Sequence, residues 1–435
     1  MLPPNHALRG ELNDEVHARP SDALDTPSRI SYLVLLSDDE LRSSVRSGTR
    51  DQEWQHVLAL IARCGGAAPE RPLNHYSVDL GAFSLRWERH TEFTRYTFIA
   101  LGTTGDPFAR TALQEVPPDW VAAIPGEVMV ASHGALLPQP DAALNYDEIA
   151  GRWFEANMLV GSRVGDDAGI ALTDFRVRDD GFSRFVLFDR QLTRRQAGRT
   201  VQRILEIDTY RMMALLALPV ARELAPFLTR CERELSQVAT TLEHVTDDDE
   251  ASLLDRLTRL EAQIEGREAD NHYRFGAAAA YYELVQRRIT ELREQRIHGL
   301  QTFGEFTERR LAPAMNTCRA VAARQESLSQ RVARANQLLS TRVDITRERQ
   351  NQALLESMNR RAKAQLKLQQ TVEGLSVAAV TYYIVGLVGY LAKGAKAAGL
   401  PVNPELLMAI SIPVVIVLAG FGIRRIRNAI TRKAP

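Results

Sequence analysis

The chain has 435 residues, too many for one ordinary hydrophobic core, so two or three structural units are expected. Its 54 basic and 54 acidic residues balance, which gives no general reason to expect nucleic acid or an acidic substrate as partner. Cys64, Cys231 and Cys318 lie far apart, so neither a disulfide framework nor a zinc site is implied, and a reducing compartment fits.

The opening MLPPNHALRGELNDE lacks an apolar run between a basic start and a small-residue cleavage site. It does not read as a secretory signal, and the amino-terminal part is expected in the cytoplasm. ELNDEVHARP, residues 11–20, gathers Glu11, Asp14, Glu15 and His17, but on a helix no single face collects all four, which weakens a metal site there. SRISYLVLLS, residues 28–37, is a β-branched apolar run and predicts a strand; the acidic cap and amphipathic stretch after it predict a helix.

WERHTEF, residues 87–93, would place Glu88, His90 and Glu92 on one face if it formed a strand, where they could bind a hard cation or pass protons. A solvated strand face or a turn over residues 89–91 is the preferred reading. NMLVGSR (157–163), the turn GDDAG and IALTDF predict further strands. Asp180-Gly181 inside FRVRDDGFSRFVLF (175–188) is the strongest short hairpin signal in the chain. Mixed strands and helices in this order indicate an α+β domain.

From Thr193 the pattern turns helical, and its apolar segment 212–220 is too short to cross a bilayer, so it reads as core. Leu228, Cys231, Leu235, Val238, Leu242 and Val245 step by threes and fours; Leu253, Leu257, Leu260 and Ile264 resume the spacing beyond TDDDE. An antiparallel helical hairpin follows, with Asp247, Asp248 and Asp249 at the turn and helix cap. Leu328, Val332, Ala335 and Leu339 define a seam on a long stalk helix, extended less cleanly through Leu355, Met358, Ala362 and Leu366.

GLSVAAVTYYIVGLVGYLA, residues 374–392, has no charged side chain, and as a helix it would be about 28 Å long, close to the thickness of a bilayer's hydrocarbon layer. A second uncharged run, residues 406–423, follows a loop with Gly399, Pro401 and Pro404. Together they predict a transmembrane hairpin. Arg360, Arg361, Lys363 and Lys367 precede it, Arg424, Arg425 and Arg427 follow it, and the loop carries only Lys393 and Lys396, so both termini are expected in the cytoplasm.

The predicted organisation is an α+β cytoplasmic domain over residues 1–192, a helical hairpin and long stalk helix over 193–370, and a two-helix transmembrane hairpin with a basic tail over 371–435. Motifs of serine hydrolases, zincins, P-loops and dinucleotide folds are missing, which makes an enzyme the weaker expectation and leaves any cofactor unidentified.

LNDEVHARP, WERHTEF, GRWFEANMLVGSRVGD, RRLAPAMNTC and TVEGLSVAAVTYYIVGLVGY together resemble the bacterial membrane-anchored family named for domain of unknown function 3422, across essentially the whole chain. That resemblance implies a bacterial inner-membrane protein and no established activity. In plan, the order of parts is similar to the CorA-type magnesium channels, which implies a homo-oligomer, a pentamer in that family. Those channels carry Gly-Met-Asn at the outer end of the first span; here VGYLAKG has Gly389 and Tyr390 without Met-Asn, and Lys393 adds a positive charge.

The leading expectation is a non-enzymatic, bilayer-anchored oligomer acting as scaffold or sensor. The alternative is a CorA-like channel or transporter whose pore is faced by Ser376, Thr381, Tyr382 and Tyr383. A third expectation is a tethered metalloenzyme using His17, Glu88, His90 or Glu92.

Overall fold

The computed structural model describes residues 5, 6, 8–10, 13, 22–36, 47–69, 73–103, 105–242 and 249–431. They fall into two compact units: Met1–His244 with Asp255–Ala335, and Val245–Leu254 with Asn336–Pro435.

The first unit is built on a mixed sheet. In chain order the strands are β1 (Ser28–Leu36), β2 (His75–Asp79), β3 (Ser84–Arg89), β4 (Phe93–Leu101), β5 (Glu127–Pro138), β6 (Val160–Val164), β7 (Gly169–Thr173), β8 (Ser183–Asp189) and β9 (Gln295–Arg296). They lie in the order β2-β3-β4-β1-β5-β8-β7-β6-β9. Only β5 and β8 run parallel. The connection between those two holds a helix and the β6–β7 hairpin, the kind of long crossover that parallel neighbours require.

β1 is the predicted strand, and it is apolar on both sides because both are covered. Leu33 and Leu35 join Trp54, Val57, Leu60 and Ile61 of helix α1 (Ser47–Arg63) in one core. Tyr32 faces the opposite way, and its hydroxyl is 2.8 Å from Thr209 Oγ1 on a later helix. A second core gathers Trp153, Phe154, Leu172, Val186 and Phe188.

The Asp180-Gly181 turn forms as expected, with Gly181 at φ +84 and Asp180 Oδ1 accepting from Phe182 N at 2.9 Å. The arm before it is not a strand. Asp174 accepts from Arg176 N at 3.2 Å and from Arg178 Nη2 at 2.8 Å, and this side-chain turn curls the backbone out of the ladder. β8 therefore pairs with β7, with Thr173 opposite Phe185 and Gly169 opposite Asp189.

Numbering the remaining helices in chain order gives α2 (Pro118–Ala122), α3 (Tyr146–Trp153), α4 (Arg194–Leu215), α5 (Ala217–Leu242), α6 (Glu250–Leu292), α7 (Phe303–Arg310), α8 (Ala312–Ala397) and α9 (Pro404–Thr431). Thr193 and Gln196 cap α4 reciprocally, as a capping box. α5 and α6 form the antiparallel pair: Leu228, Cys231, Leu235, Leu257, Leu260 and Ile264 are buried. Arg267 meets Glu223 at 3.3 Å near one end, and Arg256 meets Glu234 at 3.9 Å further along. Asp247 and Asp248 of the proposed cap lie outside the described residues.

The second unit contains the rest of α8, all of α9 and a short segment beginning α6. Leu339 and Val343 are still buried, but no side chain from Asp344 to Val380 is. The extended seam at Leu355, Met358 and Leu366 is thus exposed, with no other element packed on it among the described residues. Among the described residues three helices are long and apolar enough to cross a membrane: the nearly continuous Arg194–Leu242, Ala312–Ala397 and Pro404–Gly422.

Candidate functional site

β3 reads Leu85-Arg86-Trp87-Glu88, and strand alternation sends the two apolar rings and chains into the α1 core while Arg86 and Glu88 take the other face. Arg95 of β4 stands directly opposite Glu88 in the ladder. Covering that face is α4, which brings Gln202 and Glu206 one turn apart.

A ladder of alternating charges results. Arg86 Nη1 is 3.6 Å from Asp22 Oδ2, and its Nη2 donates to Glu88 Oε1 at 3.0 Å. Arg95 Nε donates to Glu88 Oε2, and Arg95 Nη1 reaches Glu206 Oε1 at 3.2 Å. Glu206 also accepts from Gln202 Nε2 at 2.7 Å and from Arg288 Nε of α6. Arg288 Nη1 then donates to Glu291 at 2.8 Å, which accepts in addition from Arg203 Nε at 3.3 Å.

Acid and base alternate along the whole run, so each buried charge has an opposite neighbour, the condition under which such burial is tolerated. Burial pushes the Glu88 carboxyl upward, but Arg95 and Arg86 outweigh it and hold its pKa down at about 2. Asp22, at the ladder's outer end, is raised by burial against the weaker pull of Arg86. A cavity of about 40 Å³ lies between Asp22, Tyr32, Arg86, Glu88, Arg95 and Gln202. It has room for little more than water, so the ladder is interior wiring and not a substrate cleft.

The sequence candidates are dispersed across this frame. β3 ends at Arg89 and β4 begins at Phe93, so the chain reverses between Glu88 and Glu92 and the three residues do not share a strand face. Glu88 belongs to the ladder. His90, in the turn, stacks on Phe93 at 4.5 Å, and its backbone N–H donates to Phe93 O at 2.8 Å. Glu92 is buried and holds Arg274 of α6 through both nitrogens, at 2.8 and 3.2 Å. His17 lies outside the described residues. Among the described residues no group of three or more His, Cys, Asp or Glu side chains could hold a metal ion.

In the second unit a groove of about 950 Å³ runs between α8 and α9, lined by Gly374, Thr381, Tyr382, Tyr383, Met408 and Ile412 among others. Tyr382 and Tyr383 are largely exposed, with ring centroids 5.8 Å apart, whereas Thr381 is buried. Ser376 Oγ donates back along its helix to Val372 O at 2.8 Å.

The family described as Protein of unknown function (DUF3422) matches residues 4–430. The chain belongs to that family. No curated protein matches it. The match runs through sheet, helices and apolar segments alike.

Sequence reasoning missed the ladder. LRWER shows the alternation of apolar and charged residues that marks a two-faced strand, but a charged face is ordinarily read as solvated, and nothing local announces that α4 and α6 cover it.

Proposed function

We propose that this DUF3422 protein is a homo-oligomer anchored in the bacterial cytoplasmic membrane by the end of α8 and by α9, with both termini in the cytoplasm. Its sheet unit acts as a scaffold or sensor. The observation that carries this reading is the exposed apolar surface of the two helices: Leu375, Leu387, Leu391, Leu406, Val417, Leu418 and Phe421 are each at least 60% exposed. Residues 374–392 and 406–423 carry no charge, so a hydrocarbon environment suits them where water does not.

The third apolar helix, Arg194–Leu242, is assigned to the cytoplasmic body. It carries Glu206 and Asp208 as buried ion-paired carboxylates, and Met213, Ala214, Ala217 and Ala221 are buried within the first unit. Membranes washed at alkaline pH should retain the full-length protein, and detergent should release it. A cysteine placed at Lys393 should be labelled from outside intact spheroplasts, whereas a reporter fused after Pro435 should be reachable only after lysis; recovery in the alkaline wash, or the opposite sidedness, refutes the anchor.

A CorA-like channel is the second reading, favoured by one detail: Thr381 Oγ1 is buried beside the groove with no hydrogen-bond partner among the described residues. Lys393 and the missing Met-Asn disfavour cation selection by that family's means. Liposomes containing the protein should conduct neither magnesium nor potassium if the scaffold reading holds.

A further inference from the structure

The net charge of the chain is zero, yet one cleft concentrates guanidinium groups. It is about 490 Å³ in volume, within the range of small-molecule sites, and lies between the first half of α4, the end of α6 and the turn after β6. Gln196, Arg199, Thr200 and Arg203 reach it from α4 at the spacing of a single helix face. Glu291 and Arg293 reach it from the opposite side. The turn is tied to α6 by Gly165 N donating to Leu292 O at 2.8 Å.

The balance of charge in the cleft is positive. Arg293 is paired with Asp166, and Arg203 meets Glu291 at 3.3 Å, but Glu291 already accepts the shorter 2.8 Å bond from Arg288. Arg199 is exposed and has no ion pair among the described residues. It stands one turn before Arg203, a like-charge spacing that is unfavourable on a bare helix. An anion in the cleft relieves that repulsion. Arg203 can turn to such an anion at the loss of only its longer contact, because Arg288 keeps Glu291 neutralised.

We propose that this cleft binds the phosphate group of a small soluble molecule. A phosphate presents three terminal oxygens and about −1.5 to −2 charge, enough to engage guanidinium groups arriving from both sides, whereas a carboxylate has two oxygens and one charge. The side-chain amide nitrogen of Gln196 supplies a further donor, since its Oε1 is taken by Thr193 N and Oγ1 at 2.9 and 2.8 Å. Arg203 and Glu291 are also the last members of the buried ladder that continues through Arg288 and Glu206 to Arg95 and Glu88. Occupancy of the cleft therefore draws on the outermost base of that ladder. This names the ligand class for the sensor reading and rests on that reading only for its physiological sense.

Calorimetric titration of the full-length protein in neutral detergent, with inorganic pyrophosphate as probe, tests it. Saturable one-site binding that weakens with added salt is expected. Arg199→Ala and Arg203→Gln should each weaken it by about tenfold or more. Arg195→Ala, on the same helix but outside the cleft, should leave it unchanged. Arg199 is exposed and has no hydrogen bond or ion pair among the described residues, so its loss should not disturb folding, and thermal melts of the variants check this. Absence of saturable binding, or equal affinity across the variants, overturns the proposal. Doping the micelles with phosphatidylglycerol should not displace pyrophosphate; competitive loss would assign the cleft to a lipid headgroup and overturn the soluble ligand. If the protein proves extractable without detergent, the same titration in plain buffer still decides the cleft, so the anchor and the site fail separately.

Discussion

His133 sits in the middle of the sheet, paired in register with Ser31 of β1, and their side chains meet at 2.9 Å between Oγ and Nδ1. Ser31 Oγ also accepts from Leu113 N at 3.0 Å, so the hydroxyl that meets the ring is itself held in place. Burial pushes the His133 pKa down to about 4, with Asp180 pulling it up and Arg184 opposing. A histidine in the unfolded chain protonates near 6.5, so the stabilising contribution is complete above that pH and is lost as pH falls through about 4. Urea unfolding at pH 7 and pH 4.5 should differ by roughly 2–3 kcal/mol on this account, and His133→Gln should remove that part of the difference. An unchanged pH dependence in the variant would refute the assignment. Glu88 behaves in the same sense over a lower window: its pKa is depressed to about 2, so its contribution is full above about 4.5 and fades toward 2. Glu88→Gln at neutral pH leaves Arg95 half-partnered in the interior and should cost about 3–5 kcal/mol in chemical denaturation. Little of this was legible beforehand. Glu88 stood out as a carboxylate beside a histidine, but Arg95 and Glu206 are 111 residues apart in sequence, and only the packing of α4 on the sheet joins them.

At the scale of elements, the approach of α4 to the chain segment before β1 depends on one missing methyl. A Cβ on Gly198 would lie 1.7 Å from Asp22 O, and Leu24 N donates to Arg194 O at 3.0 Å beside it. Gly198→Ala must push helix and segment apart, and a loss of about 1–3 kcal/mol in thermal or urea unfolding is expected. At Gly266, within α6, the same position meets nothing within 4 Å among the described residues beyond its own helical turn. Gly266→Ala should therefore stabilise by about 0.5–1 kcal/mol, and a matching loss at both sites would show that the contact is not the cause. Periodicity revealed the helices and β1 because their burial repeats at the period of the element itself. It could not anticipate that Asp174 and Arg178 would bend the arm before the Asp180-Gly181 turn away from the ladder, because that depends on a pairing between side chains and not on β propensity. The candidate site suffered the same way at WERHTEF, where alternation alone cannot tell one continuous strand from two strands and a turn.

For the whole molecule, the long helix α8 poses a question of partners. Leu328, Val332 and Leu339 are buried, while Leu355, Met358 and Leu366 are 63%, 58% and 59% exposed. Their spacing in sequence is of the same kind, so the sequence could mark both as seams but could not say that, among the described residues, only the first is covered. Apolar side chains repeated along an uncovered helix are costly in water unless a second surface meets them, and another copy of the same helix carries the same repeat. If oligomers form through this stretch, Leu355→Asp with Met358→Asp places charge at the shared surface, and sedimentation velocity in detergent should show the detergent-corrected mass falling to that of one subunit. Because both side chains are exposed in the single chain, the change should alter its intrinsic stability by no more than about 0.5 kcal/mol, leaving the melt of the sheet unit in place. A mass that stays multimeric would locate self-association elsewhere, with the groove between α8 and α9 as the next surface to substitute; a monomeric wild type would remove the oligomer from the proposed function altogether.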